Sequence, residues 1–196
     1  MYKEGLARFA TSAYVPPIGS NLNNLYMHLT NYAINKDANN FKQNQGHEDF
    51  SGHKRSMTSI LNRISEDAKF NLDLLTGEQC WRLIQELVVK TIIACHQPIA
   101  HVYRSTKPQD IEASLCFQIL GFDIFIDKKA KPWLIEVNQC PSYTADSPLD
   151  QSVKLGVLTD AFSILNLSAK RKQKYIKELR QQNHNRLTGQ RRMTAE

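Results

Sequence analysis

One acidic residue set inside an apolar strand constrains this chain more than any other feature. Asp123 lies in Leu120-Gly121-Phe122-Asp123-Ile124-Phe125-Ile126, where an unpaired charge is costly to bury. The polar run Asp127 to Pro132 follows, and Trp133-Leu134-Ile135 then leads to Glu136-Val137-Asn138. Two strand-like segments joined by a polar turn predict an antiparallel hairpin, Leu115 to Ile126 with Trp133 to Asn138. Residues two apart on a strand share a face, so Glu136 and Asn138 project together. With Lys128 to Lys131 as the loop, Ile126 faces Trp133 and Asp123 comes opposite Glu136. Two carboxylates and an amide then meet on one face, and hard oxygen donors of this kind suit Mg²⁺, with phosphate and water completing its shell. Taken singly the residues have simpler readings: Asp123 as a satisfied polar group at a bulge, Glu136 and Asn138 as solvent-facing side chains. A magnesium ion gripping nucleotide phosphates would neutralise charge in phosphoryl transfer.

The rest of the chain supplies helices and one long polar connection, which makes the fold class α+β. Pro16-Pro17 and the asparagines ending near Asn24 mark a loop. Leu25 to Ile34 alternates like a strand, with Leu25, Met27 and Leu29 on one face. Asn35 to Lys54 is polar and poor in aliphatic residues, so it is expected to be a mobile surface loop. A helix is predicted from about Ser56 to Asp67, with Met57, Ile60, Leu61 and Ile64 on one side. A longer one starts at Thr76 as N-cap and runs towards Cys95, and Pro98 interrupts or ends it. A last apolar helix starts near Pro148 and leads into the C-terminal segment. No internal repeat is present, which argues against a solenoid.

Charge is unevenly distributed. From Ala169 to the end, nine Lys or Arg face two acids, a balance of +7, while the rest of the chain stands at −1. The predicted division is therefore 1–167 as folded core and 168–196 as a basic helical or partly disordered extension. That extension lacks the interleaved aromatic residues of a stacking platform, so nucleic acid is not an expected partner. No apolar run is long enough for a membrane span and the N-terminal residues form no signal-peptide core, so no membrane association is expected. Cys80, Cys95, Cys116 and Cys140 form no C-x-x-C pair and read as reduced core or near-core thiols.

Several motifs, in unbroken order, resemble the tubulin tyrosine ligase-like family on its polyglutamylase branch. They are Tyr2-Lys3-Glu4-Gly5-Leu6-Ala7-Arg8-Phe9-Ala10-Thr11, Met27-His28-Leu29-Thr30-Asn31-Tyr32-Ala33-Ile34-Asn35-Lys36, Leu120-Gly121-Phe122-Asp123, Pro132-Trp133-Leu134-Ile135-Glu136-Val137-Asn138 and Pro141-Ser142. The resemblance implies the C-terminal part of an ATP-grasp fold, in which two α+β lobes clamp ATP and magnesium. It also implies the reaction: a side-chain carboxylate is activated as an acyl phosphate, and the amino group of free glutamate displaces the phosphate. By motif position, Asp123, Glu136 and Asn138 correspond to magnesium ligands and Thr30 and Asn31 to a nucleotide-contacting pair. Arg8 corresponds to an arginine that binds the amino-acid substrate, which suits a planar cation that grips a carboxylate bidentately. Lys54 resembles a lysine of the glutamate- and glycine-adding members that holds an acidic substrate group; its plainer reading is a solvated loop charge. His28 reads as structural.

The implied partners are tubulin C-terminal tails and microtubules, towards which the basic extension would act as an electrostatic guide. The implied addresses are the cytoplasm and cytoskeleton, with the cilium or flagellum axoneme and basal body among them. Glycylase and tyrosine ligase are sibling readings with the same chemistry. A reading of another class is a truncated, non-catalytic microtubule-binding module. The family's lysines and glycine-rich loop lie upstream of the matched motifs, so the isolated chain is expected to be an incomplete nucleotide site.

Overall fold

The computed structural model describes residues 1–28, 30–44, 52–108, 110 and 116–189. In chain order the elements are strand β1 (Leu6–Arg8), helices α1 (Leu25–His28) and α2 (Tyr32–Asn35) and strand β2 (Lys54–Ser56). Helices α3 (Met57–Ala68) and α4 (Gly77–Thr106), strands β3 (Gly121–Ile126) and β4 (Pro132–Asn138) and helices α5 (Pro148–Leu165) and α6 (Ala169–Leu187) follow. The fold is mixed α and β, with two small antiparallel sheets, β1–β2 and β3–β4. Two units divide the chain between Leu155 and Gly156.

In the first unit the sheets frame a helix pair. Strand β1 pairs with β2 from Leu6 opposite Ser56 to Arg8 opposite Lys54. Ser56 then caps α3, accepting from the Ser59 N–H, so the strand passes directly into the helix. Helix α4 opens with Thr76 and Gln79 satisfying each other's backbone N–H groups, the reciprocal cap that stabilises an exposed first turn. Cys80 and Ile84 of α4 are buried, as are Leu149 and Val153 of α5 and Ala130 in the hairpin turn.

Gly77 sets how closely α4 can approach α3. Its N–H donates to Ser65 Oγ at 2.9 Å, and a Cβ there would lie 2.0 Å from the Leu61 carbonyl oxygen. Backbone cannot yield as a side-chain tip can, so Gly77→Ala is expected to cost about 1–3 kcal/mol or more, the range for overpacking. In a chain of this size each kcal/mol lowers Tm by about 2–4 °C. A melting curve for Gly77→Ala that overlays the wild type would show the helix crossing to be looser than this.

Three expectations are corrected. Leu25 to Ile34 is not a strand but the two short helices α1 and α2; Leu29 itself lies outside the described residues. Asparagine side chains here bond to nearby backbone and compete with strand pairing. Asn31 caps α2 by accepting from the Ala33 N–H, and the buried Asn35 amide oxygen accepts from both Thr11 N–H and Thr11 O–H. The predicted loop from Asn35 to Lys54 is partly built structure: Asn35 and Asn44 are buried, and Lys54 begins β2. Residues 45–51 of it lie outside the described set. Helix α4 also continues through Pro98 to Thr106. Proline removes one N–H there, and Ala94 and Pro98 are both exposed, so water can satisfy the carbonyl that loses its donor.

The hairpin forms as predicted, although β3 begins at Gly121; Leu115 lies outside the described residues. One carboxylate organises its turn. Asp127 Oδ1 accepts from the Lys129 and Lys131 N–H groups and Oδ2 from the Trp133 indole. The indole bond is the first cause that holds the Asp127 carboxyl below its ordinary value; burial opposes it, and the two N–H bonds and the Lys131 charge act with it. Ala130 takes the left-handed φ of 62° that the tight turn requires. The turn is tied to the α3–α4 connection by the Leu75 N–H donating to the Lys129 carbonyl.

The second unit, residues 156–196, holds the C-terminal turns of α5 and the basic helix α6. Ser168 caps α6 and Arg171 reaches back to the Leu165 carbonyl. No residue of α6 is buried. Arg191, Arg192 and Glu196 lie outside the described residues. All four cysteines are free. Cys80 is buried, which pushes its thiol pKa up, but Cys116 and Cys140 are exposed and so are not core thiols. Among the described residues no helix is long and apolar enough to cross a membrane.

Candidate functional site

The hairpin brings Asp123 opposite Glu136, but by a route that alternation alone does not predict. Near the turn Ile126 pairs with Pro132, Phe125 with Trp133 and Ile124 with Leu134, one residue away from the expected Ile126–Trp133 pairing. A bulge between Asp123 and Ile124 absorbs one residue of β4, and Asp123–Glu136, Phe122–Val137 and Gly121–Asn138 then pair as partners. Bulges of this kind re-aim side chains beside functional sites.

Around the bulge the polar groups converge. The Asn138 amide Nδ2 donates to Glu136 Oε1 at 3.1 Å, which leaves Oδ1 as the oxygen the amide can offer to a cation. Asp123 sits opposite Glu136 in the ladder, and its carboxyl pKa is raised. Burial is the largest cause; the Arg8 guanidinium opposes it, and Glu136 adds to it. Two carboxylates sharing a partly desolvated site repel each other when ionised, and a cation relieves that repulsion. Among the described residues no group of three or more His, Cys, Asp or Glu is placed to hold a metal. Any cation here would take two carboxylates and the Asn138 amide.

Arg8 reaches this cluster from the other sheet. Its Nη2 lies 3.8 Å from Asp123 Oδ1, with both side chains more than a third exposed. Lys54, opposite Arg8 in the β1–β2 ladder, turns to a different partner. Its Nζ is 2.6 Å from Asp150 Oδ1 and 2.7 Å from Oδ2, its side chain 13% exposed and that of Asp150 fully buried. The Ser147 hydroxyl donates to Asp150 Oδ2, whereas Oδ1 meets no donor at good hydrogen-bonding geometry despite the close ammonium. The Lys54 ammonium also sits 4.5 Å from the centre of the Tyr32 ring, and burial, with Asp146 and Asp150 nearby, raises the Tyr32 pKa.

Thr30 and Asn31 lie between α1 and α2, outside the hairpin, and both are exposed. Asn31 is engaged as the α2 cap. The next residue, Tyr32, belongs to the Lys54 group, so this pair borders that group rather than the carboxylates. His28 bonds through Nε2 to the Asn21 carbonyl and packs edge-on to Tyr14, which fixes the preceding loop. The residue that sequence reasoning missed is Asp150. Its signal was present as Ser147-Pro148-Leu149-Asp150, a serine three residues before an acid at the head of an apolar helix. The Asp150 N–H indeed bonds to Ser147 Oγ, yet the carboxylate bonds the Ser147 hydroxyl and faces Lys54 instead of closing the cap.

Comparison with known proteins adds a family to this geometry. The family model described as "Tubulin-tyrosine ligase family" matches residues 1–174. The chain is 45% identical over 181 residues to the human protein named tubulin polyglutamylase TTLL6, covering 92% of this chain and 19% of that protein. It is 42% identical over 179 residues to a probable beta-tubulin polyglutamylase of Tetrahymena thermophila, covering 91% and 14%. It is 40% identical over 196 residues to tubulin polyglutamylase TTLL7 of Xenopus tropicalis, covering 97% and 20%. The chain thus spans a fifth or less of the length of these relatives.

Proposed function

Because the chain belongs to the tubulin-tyrosine ligase family, we propose that it forms the magnesium- and donor-binding part of an ATP-dependent ligase adding glutamate to tubulin tails. One observation carries this reading. A guanidinium suited to an amino-acid carboxylate, on Arg8, lies 3.8 Å from the carboxylate Asp123, which is paired with Glu136 beside Asn138. The relatives' names, all tubulin polyglutamylases, favour glutamate as donor over glycine or tyrosine.

In this reading Asp123, Glu136 and Asn138 would hold Mg²⁺ through oxygen, which fits the donor set on the hairpin face. A bound Mg²⁺ supplies charge neutralisation to the phosphates of ATP. The chain's own residues do the positioning. Arg8 grips the carboxylate of free glutamate and so aims its amino group at the acceptor side chain. Thr30 and Asn31 contact the nucleotide. Lys54 contributes its positive charge towards an acidic substrate group while its ammonium stays paired with Asp150. The γ-phosphoryl group passes from ATP to the acceptor carboxylate, leaving ADP. The donor amine then attacks the acyl carbon and phosphate departs, closing an isopeptide bond within an ATP-grasp enclosure.

The α6 cations extend the same reading to the acceptor. Tubulin tails are dense in glutamate, and an exposed basic helix raises their local concentration through a salt-sensitive field. Deleting residues 169–196 is expected to weaken microtubule co-sedimentation by about tenfold or more at low salt and far less at high salt. Unchanged binding at low salt would remove α6 from acceptor docking. In this reading an enzyme that acts on microtubules works in the cytoplasm and cytoskeleton, axonemes and basal bodies included.

The test of the whole reading is incubation of the protein carrying this chain with microtubules, Mg-ATP and labelled glutamate, glycine or tyrosine. Glutamate incorporation that needs both ATP and Mg²⁺ is the expected result. Label entering only from glycine or tyrosine would reassign the donor. No label from any of the three, with microtubule binding retained, would make the protein a binding module.

A further inference from the structure

The β1–β2 ribbon that presents Arg8 has three residue pairs, and a ribbon so short does not hold a position by itself. It is fastened to α3 at one end, where the Met57 N–H donates to the Gly5 carbonyl and the Glu4 carboxylate accepts from the Thr58 N–H and hydroxyl. Those bonds do not reach the carboxylates on β3 and β4. Among the described residues, two ion pairs face in that direction. Arg8–Asp123 is 3.8 Å long and substantially exposed, a class of pair that contributes little. Lys54–Asp150 is short and almost wholly buried, and such a pair holds one geometry because any other leaves a charge unpaired.

Asp150 is in turn fixed relative to the hairpin. It stands in the first turn of α5, which follows β4 through residues 139–147. That connection folds back on β3, since a Cβ added at Gly121 would lie 3.1 Å from Pro141 Cβ. The Gln43 amide donates to the Asp146 carbonyl in the same connection. Lys54 and Arg8 are directly opposite in the ladder, so an atom that fixes one fixes the backbone of the other. We propose that Asp150 is a positioning residue for the donor amino acid: through Lys54 it locks the ribbon, and the ribbon sets Arg8 beside the Asp123–Glu136 pair.

This inference rests on the ligase reading above and gives Lys54 a second task besides contact with an acidic substrate group. Asp150 touches neither substrate nor cation, and its signature is a selective loss of donor affinity. In the full-length ligase, Asp150→Asn is expected to raise KM for glutamate by about tenfold or more, since misplacement by about an ångström costs up to about 10²-fold. KM for ATP should stay within about twofold, as a change confined to the donor side predicts. The double variant Lys54→Met/Asp150→Leu removes both buried charges and keeps the fold, and it should show the same split. Arg8→Lys combined with Asp150→Asn should be no worse in glutamate KM than Arg8→Lys alone, because both act through one contact.

Each outcome decides. A lower kcat with both KM values unchanged, or additive effects with Arg8→Lys, would make Asp150 structural only and overturn the proposal. So would normal glutamate KM in the folded Lys54→Met/Asp150→Leu protein. A wild-type enzyme that incorporates none of the three donors would instead overturn the ligase reading on which the proposal stands.

Discussion

Glu136→Gln is expected to lower ligase turnover by at least about 10²-fold, since even partners one shell further from a metal cost 10–100-fold when removed. Asp123→Asn should do the same. Both substitutions keep shape and remove charge, so the loss measures what the carboxylates do for the cation rather than for the fold. A second readout separates the two effects. The Asp123 carboxyl pKa is raised by burial and by Glu136, with Arg8 opposing, so the folded chain holds that proton more tightly than the unfolded one. Ionised Asp123 therefore counts against stability at neutral pH, and this unfavourable contribution disappears as pH falls through the raised pKa. Without Mg²⁺, Asp123→Asn should be no less stable than wild type at pH 7. With Mg²⁺ at about 100 times its dissociation constant, wild type should gain about 2.7 kcal/mol and the Asn variant should lose most of that gain. Full turnover in Glu136→Gln, or equal magnesium stabilisation in Asp123→Asn, would remove the hairpin from metal binding.

Much of this arrangement could be read from the chain, and the failures share a physical origin. Local signals were legible: Thr76 announces a helix because capping is settled within four residues, and Asp127 to Pro132 announces a turn for the same reason. The Asp123–Glu136 pairing was anticipated, but through a register that holds only beyond the bulge. A one-residue slip leaves no mark in an alternating pattern. What the sequence hid was long-range. Lys54 looked like a loop charge because its partner Asp150 lies 96 positions away. The β1–β2 ladder has strands of three residues, too short for alternation to register. Leu25 to Ile34 misled because its period fitted a strand while Asn31 and Asn35 were available to bond backbone. Helix α4 passed Pro98 because long helical stretches on both sides outweigh one lost hydrogen bond.

Lys54→Met is expected to destabilise the fold by about 3–5 kcal/mol, the cost of breaking a buried pair by removing one partner. An exposed pair would lose at most about 1 kcal/mol, and burial decides between the two: Lys54 is 13% exposed and Asp150 not at all. The Ser147 hydroxyl still bonds Asp150 Oδ2 in the variant, but one neutral donor does not balance a charge that water cannot reach. Lys54→Met/Asp150→Leu should recover most of the loss, because two apolar side chains of similar size fill the same space without a desolvation penalty. Urea titrations of wild type, single and double variants give the coupling directly, with a coincident midpoint shift and unchanged slope as the mark of a pure stability effect. A single-variant loss below about 1 kcal/mol would mean that water reaches the pair in solution. The ribbon would then lack its strongest fastening towards α5, and the placement of Arg8 would have to come from its weak contact with Asp123.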